Sequence, residues 1–268
     1  MRAKAQHYAI VVVDIEKFGS RSNAVQLWLR ERLYELFVEA LDEAGVDRTL
    51  SPPPSDRGDG FFWLLPGQVD KVDLTGRFIR LLHDKLREHA RTSNAEGAMR
   101  LRVALHSGDV AWDGRGWQGE ELNSACRLVD IVPLRKALAG DPRSVVALAV
   151  SADWYRRVVR QGHAQVEHEA FRQVPFDAKE IQDTAWIRVP GIDVPPGTVP
   201  SEEKDDDEPR PGTPLRATES DGSPEISLVL NNNNVSGGNV GAVGGPVHGD
   251  VNFSSAPTGS GDGSERAR

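Results

Sequence analysis

The chain contains one cysteine, Cys126, in 268 residues. A lone thiol closes no internal disulfide, so the fold must rest on its apolar core, and a reducing compartment is expected. No apolar run approaches the ~20 residues of a membrane span. The run at residues 9–13 is too short for a secretory leader and is followed by Asp14. A soluble, cytoplasmic protein with no membrane partner is therefore expected. A phosphate-binding P-loop and a Ser/His/Asp order are missing, and the histidines are scattered without metal-ligand spacing. Basic excess is missing too. The formal net charge is −8, and residues 191–225, with ten acidic and three basic side chains, supply nearly all of it. The remainder is close to neutral, which argues against a nucleic-acid partner.

Aromatics are also scarce beyond residue 190. Residues 1–190 carry the tryptophans and all but one of the phenylalanines. From Gly191 onward the chain is rich in Gly, Pro, Ser, Asp and Asn, and such a segment buries too little apolar surface to offset its chain entropy. The division expected is a globular domain at 1–190, an acidic, disordered Pro/Gly-rich linker at 191–225, an Asn/Gly/Val-rich segment at 226–253, and a disordered tail at 254–268. In 226–253, valines recur among Asn and Gly with almost no charge. That pattern is either a flexible tail or a segment able to stack in register as cross-β.

Within the first 190 residues the periodicity predicts an ordered series of elements. Residues 8–15 read as a buried strand ending in a carboxylate. Residues 22–44 read as an amphipathic helix capped by Ser22 or Asn23 and closed by Gly45. A turn at Gly58-Asp59-Gly60 leads into a second buried strand at 61–65. A helix over 70–89, a strand over 99–112, a turn at 113–116, a helix over 119–131 and a short one over 133–139 follow. A strand at 144–150, a helix at 152–160 and an antiparallel pair at 171–176 and 184–189 close the domain. The order is that of an α+β, ferredoxin-like split βαβ fold.

Two carboxylates stand out. Asp14 ends a strand of five apolar residues, and burying a charge there is costly unless it is paired or bound to metal. Asp59 sits between glycines before another apolar strand. If those strands are neighbours, both acids reach one rim, and a pair of carboxylates suits Mg²⁺ together with phosphate oxygens. Backbone N–H groups of residues 15–19 are placed to receive phosphate. The alternative is that Asp14 caps the next turn and Asp59 is a plain hairpin residue. Asn123 and Arg127, spaced i, i+4, share a helix face. They are either site residues or a polar notch that interacts with Glu120 or Glu121. His106 reads as a hydrogen-bonded strand histidine and Cys126 as a small packed apolar residue.

Four motifs occur in order: Asp14-Ile15-x-x-Phe18; Gly58-Asp59-Gly60-Phe61; Arg102-Val103-Ala104-Leu105-His106-Ser107-Gly108; and Gly119-x-x-x-Asn123-x-Ala125-x-Arg127. Together they resemble the catalytic domain of class III nucleotidyl (adenylate/guanylate) cyclases. The compact actinobacterial cyclase-homology proteins look closest, because of the ending Ala185-Trp186-Ile187-Arg188-Val189-Pro190. The resemblance implies a head-to-tail homodimer that converts a nucleoside triphosphate to a 3′,5′-cyclic nucleotide and pyrophosphate, with two Mg²⁺ or Mn²⁺ ions per site. It implies Asp14 and Asp59, with Ile15, at the metals, and Phe18, Gly19 and Gly58 at the nucleotide phosphates. Asn123 and Arg127 then act catalytically across the interface. The base pocket falls on Ser55 and Gly116, which match neither the adenylate nor the guanylate pair. A small uncharged pocket there points to a pyrimidine base, as in phage-defence pyrimidine cyclases, or to lost activity. The late transition-state cation falls on Lys179 or Arg172. The segment 226–253 resembles bacterial amyloid-signalling motifs, which implies an effector partner with a matching segment. A degenerate cyclase-homology module that signals through that tail is the alternative.

Overall fold

The computed structural model describes residues 4–178, 181–193 and 195. The linker beyond 195, the segment 226–253, the tail 254–268 and Lys179 lie outside the described residues. By internal contacts the chain divides into Met1–Asp207, which holds every element described below, and Glu208–Arg268.

A single mixed sheet organises the first unit. β1 (Ala5–Ile15), β2 (Ser55–Asp56), β3 (Gly60–Pro66), β4 (Leu101–Trp112), β6 (Val146–Ser151), β7 (Arg172–Ala178) and β8 (Ile181–Arg188) run in the order β2-β3-β1-β4-β6-β8-β7. β5 (Trp117–Gln118) adds to the far end of β4. β1 lies antiparallel to both β3 and β4, and β4 lies parallel to β6. The unbroken valines of β1 follow from this placement, since both of its faces are covered. Ala9, Val11, Val13 and Ile15 meet the core under α1 (Asn23–Ala44) and α3 (Ile79–Thr92). Tyr8, Ile10 and Val12 meet the core under α4 (Glu120–Leu128) and α5 (Val132–Ala139). This mixed α+β architecture is the one expected. No helix among the described residues is long and apolar enough to cross a membrane.

α1 begins at Ser22 in extended conformation and stops at Gly45, whose φ of 77° lets its N–H return to the carbonyls of Leu41 and Asp42. Its Leu29, Leu33, Leu36, Phe37, Ala40 and Leu41 are buried, whereas Trp28 sits at the rim against the ring of His89. The expected single helix over 70–89 is interrupted. α2 (Lys71–Asp73), capped by the Asp70 carboxylate, passes into a π turn at Leu74–Phe78 before α3. The cause is a close backbone approach. A Cβ on Gly76 would lie 2.1 Å from the Gln165 carbonyl oxygen, and neighbouring Thr75 accepts a hydrogen bond from Trp154 Nε1 at 2.9 Å. The expected helix 119–131 is shorter, and the separate helix expected at 133–139 is present. α4 ends at Leu128, and Ile131 is extended ahead of α5, which carries Pro133 in its first turn. α6 (Ala152–Arg157) is capped by Ser151, and the closing strands are longer than their apolar cores indicated.

Candidate active site

The site is built where β1 ends. Asp14 is opposite Gly60 on β3 and Arg102 on β4. The N–H of Ile15 donates to the Asp59 carbonyl at 2.9 Å, which ties the β2–β3 turn to the tip of β1. Only glycine permits this closeness. A Cβ on Gly60 would lie 2.0 Å from the carbonyl oxygen of Val13. Gly58, at φ 94°, donates its N–H to Asp56 Oδ1 at 2.8 Å, and Arg30 holds the other oxygen of Asp56. Asp59, 45 positions from Asp14 in the sequence, is thereby brought beside it, near enough for its charge to act on the Asp14 carboxyl.

Asp14 is 4% exposed. Burial pushes its carboxyl up to about 7; Arg102 opposes the rise, while the charges of Asp59 and Asp130 add to it. A guanidinium nitrogen of Arg102 lies 2.5 Å from Asp14 and 3.8 Å from Asp130. The sequence reading missed the role of Arg102 in this pair. Its signal was present, since a half-buried arginine interrupts an apolar β4, but which acid it meets depends on strand register. No group of three or more His, Cys, Asp or Glu comes together as a metal cage among the described residues. The two neighbouring carboxylates form the smaller donor set that Mg²⁺ uses with phosphate oxygens, and a cation would offset both the burial and the neighbouring acids that raise Asp14. The residues present therefore fit such an ion.

The expected phosphate-receiving run is shorter than residues 15–19. Ile15 N–H is taken by Asp59, and Glu16 N–H donates to the Arg100 carbonyl at 2.9 Å, because β1 continues its pairing to that point. The stretch left is Lys17, which is left-handed at φ 55°, with Phe18 and Gly19 in a 3₁₀ turn. Phe18 packs against the core and Gly19 is exposed with open space around it.

α4 buries Leu122, Ala125 and Leu128 against the sheet, so Asn123 and Arg127 point outward and are exposed. Within one chain they do not join the Asp14–Asp59 pair. Arg127 instead borders a cavity of about 100 Å³ with Ser124, His106, Glu121 and Thr184. Glu121 does not partner the Asn123/Arg127 notch; its carboxylate bonds Nε2 of His106. His106 is buried, with Nδ1 2.8 Å from Ser151 Oγ. Cys126 is half-buried on the sheet side of α4; burial pushes its thiol up and the Arg57 guanidinium opposes this. Ser55 lies on β2 opposite Phe62, and Gly116 lies in the β4–β5 turn, its N–H bound to Asp113 Oδ1 at 2.8 Å. The two sit on different hairpins. Arg172 donates to the carbonyls of Glu169 and Phe171, which commits its guanidinium locally.

This seven-strand path with helices on both faces matches the fold of adenylate/guanylate cyclase catalytic cores. The solved structures that resemble it are such domains. An adenylate/guanylate cyclase/hydrolase from Silicibacter pomeroyi matches 70% of this chain and 99% of its own at 18% identity, with a TM-score of 0.50. The guanylyl cyclase Cya2 matches over 75% and 100% at 14% identity and 0.49. The adenylyl cyclase CyaB from P. aeruginosa matches over 70% and 96% at 13% identity and 0.46. No family model and no curated protein matches the sequence. At these identities the likeness is one of fold.

Proposed function

We propose that the chain is a nucleotidyl cyclase that acts as a homodimer on a nucleoside triphosphate. The observation that carries the reading is the convergence of Asp14 and Asp59 beside the tip of β1, on a cyclase fold. Asp14 and Asp59 would hold Mg²⁺ or Mn²⁺, with Ile15 beside them, and such ions lower the pKa of an attacking hydroxyl and neutralise charge developing on the phosphates. The ribose 3′-hydroxyl displaces pyrophosphate from the α-phosphate, and the protein's work is positioning and charge stabilisation. Lys17, Phe18 and Gly19 line the approach of the phosphates, with Gly58 at the facing turn. Asn123 and Arg127 are exposed on α4, as required of groups that complete a partner's site. There Asn123 orients the ribose and Arg127 steadies the triphosphate.

The small residues Ser55 and Gly116 favour a pyrimidine base over a purine read by charged side chains. An antiphage signalling role, with an effector recognised through the segment 226–253, extends the same reading. A second reading, a non-catalytic cyclase-homology module, is favoured by the ion pair that Asp14 already makes with Arg102.

Purified protein incubated with each nucleoside triphosphate and Mn²⁺ should release a cyclic nucleotide and pyrophosphate. Asp59→Ala should lower the rate roughly 10²-fold or more. Failure to form product from any of the four under dimerising conditions rejects the enzyme and leaves the second reading.

A further inference from the structure

We infer that Glu121 is a positioning residue: through His106, and across Gly108, it fixes the first turn of α4 and so the angle at which Asn123 and Arg127 are presented. The inference rests on the cyclase reading above for its catalytic consequence, but not for its geometry.

α4 needs an external anchor. It spans only Glu120–Leu128, and its N-cap is Gly119, with no side-chain cap bond. Leu122, Ala125 and Leu128 hold it down on the sheet, but an apolar stripe leaves a short helix free to slide and roll. Glu121 removes that freedom. Its carboxylate bonds His106 Nε2, and His106 Nδ1 is 2.8 Å from Ser151 Oγ. Ser151 Oγ accepts the Trp154 N–H at 3.2 Å, and Trp154 Nε1 donates to Thr75 Oγ1 at 2.9 Å in the π turn. A carboxylate only accepts, so Nε2 carries the proton and the Ser151 hydroxyl fills Nδ1. These bonds link α4 through β4 and the start of α6 to the π turn.

An independent feature points to the same side chain. A Cβ on Gly108 would lie 2.2 Å from Glu121 Cγ and 2.5 Å from its Cβ. β4 thus leaves open the space in which the Glu121 stem lies. Arg127, six residues on, is about 9 Å further along the helix, so a small roll at Glu121 displaces it. Misplacement on the order of 1 Å lowers rates by as much as 10²-fold.

The test uses the full chain and the variants Glu121→Ala, Glu121→Gln and Gly108→Ala. Cys126, the chain's one cysteine and half-buried on α4, reports helix placement without turnover through its rate of reaction with an aromatic disulfide. Glu121→Ala and Gly108→Ala should speed labelling several-fold, and Glu121→Gln, which keeps an acceptor for His106, should restore the slow rate. In the activity assay Glu121→Ala should lower kcat ~10-fold or more with KM and Mn²⁺ affinity little changed. Unchanged labelling and kcat in Glu121→Ala overturn the inference, as does a parallel fall in kcat, Mn²⁺ affinity and melting temperature that Glu121→Gln fails to rescue. Absence of product from the unaltered chain defeats the cyclase reading alone, and the labelling rates still decide whether Glu121 holds α4.

Discussion

The buried carboxylate of Asp14 and the guanidinium of Arg102 lie 2.5 Å apart on adjacent strands, 88 positions apart in the sequence. Removing one partner of a buried pair strands the other charge. Arg102→Met should destabilise the fold by about 1–3 kcal/mol near pH 8. Near pH 5 the loss should be smaller, because an unpaired Asp14 escapes its charge by taking a proton. Urea unfolding at the two pH values measures the difference, and an equal loss at both contradicts it.

Asp14 itself sets a pH dependence. Its folded carboxyl lies at about 7, chiefly through burial, against a usual value of 3.8. Between those values the folded chain binds the proton more tightly than the unfolded chain does. The associated stability is full below the lower value and is lost as pH rises through the upper one. In the presence of a chelator, the denaturation midpoint should therefore fall between pH 4 and pH 7 and then level. Asp14→Asn should flatten that slope. Mn²⁺ affinity should run the other way and rise through about pH 7, since a cation competes with the proton; titration at pH 6 and pH 8 reads this directly.

A site shared between two subunits makes a complementation prediction. Asp59→Ala and Arg127→Ala should each be nearly inactive alone. On random mixing, half of the dimers are mixed and one of the two sites in each is intact, so activity should recover to about a quarter of the unaltered level. A mixture as inactive as its components would place all the groups in one chain.

Gly60 gives a prediction about the scaffold. Gly60→Ala forces a Cβ to within 2.0 Å of the Val13 carbonyl oxygen. The strands must part, and the cost should be roughly 2–4 kcal/mol. Because the same row carries Asp14, Mn²⁺ affinity should fall with the melting temperature. Retained metal affinity in a destabilised variant would separate the acid pair from the strand contact.

Local patterns in the chain marked much of this protein. The valine run ending in Asp14, the Gly58-Asp59-Gly60 turn, the Gly45 stop of α1 and the i, i+4 placement of Asn123 and Arg127 are all short-range features. Each follows from a side-chain period, a cap or a glycine's freedom, which neighbouring residues fix. Four further features were illegible there. The π turn at Leu74–Phe78 exists because Gly76 abuts the backbone of Gln165. The Ile15 and Glu16 N–H groups are withdrawn from the phosphate run because strand pairing claims them. Arg102 meets Asp14, and Glu121 meets His106, because register and helix docking bring together residues that no local signal connects.

The sequence by itself therefore determined the elements and the chemical character of their ends, since those depend on contacts within a turn or two of chain. The tertiary structure alone decided which charges face one another. Burial raised the Asp14 carboxyl and strand register set Arg102 against it, and both are properties of packing between segments far apart along the chain.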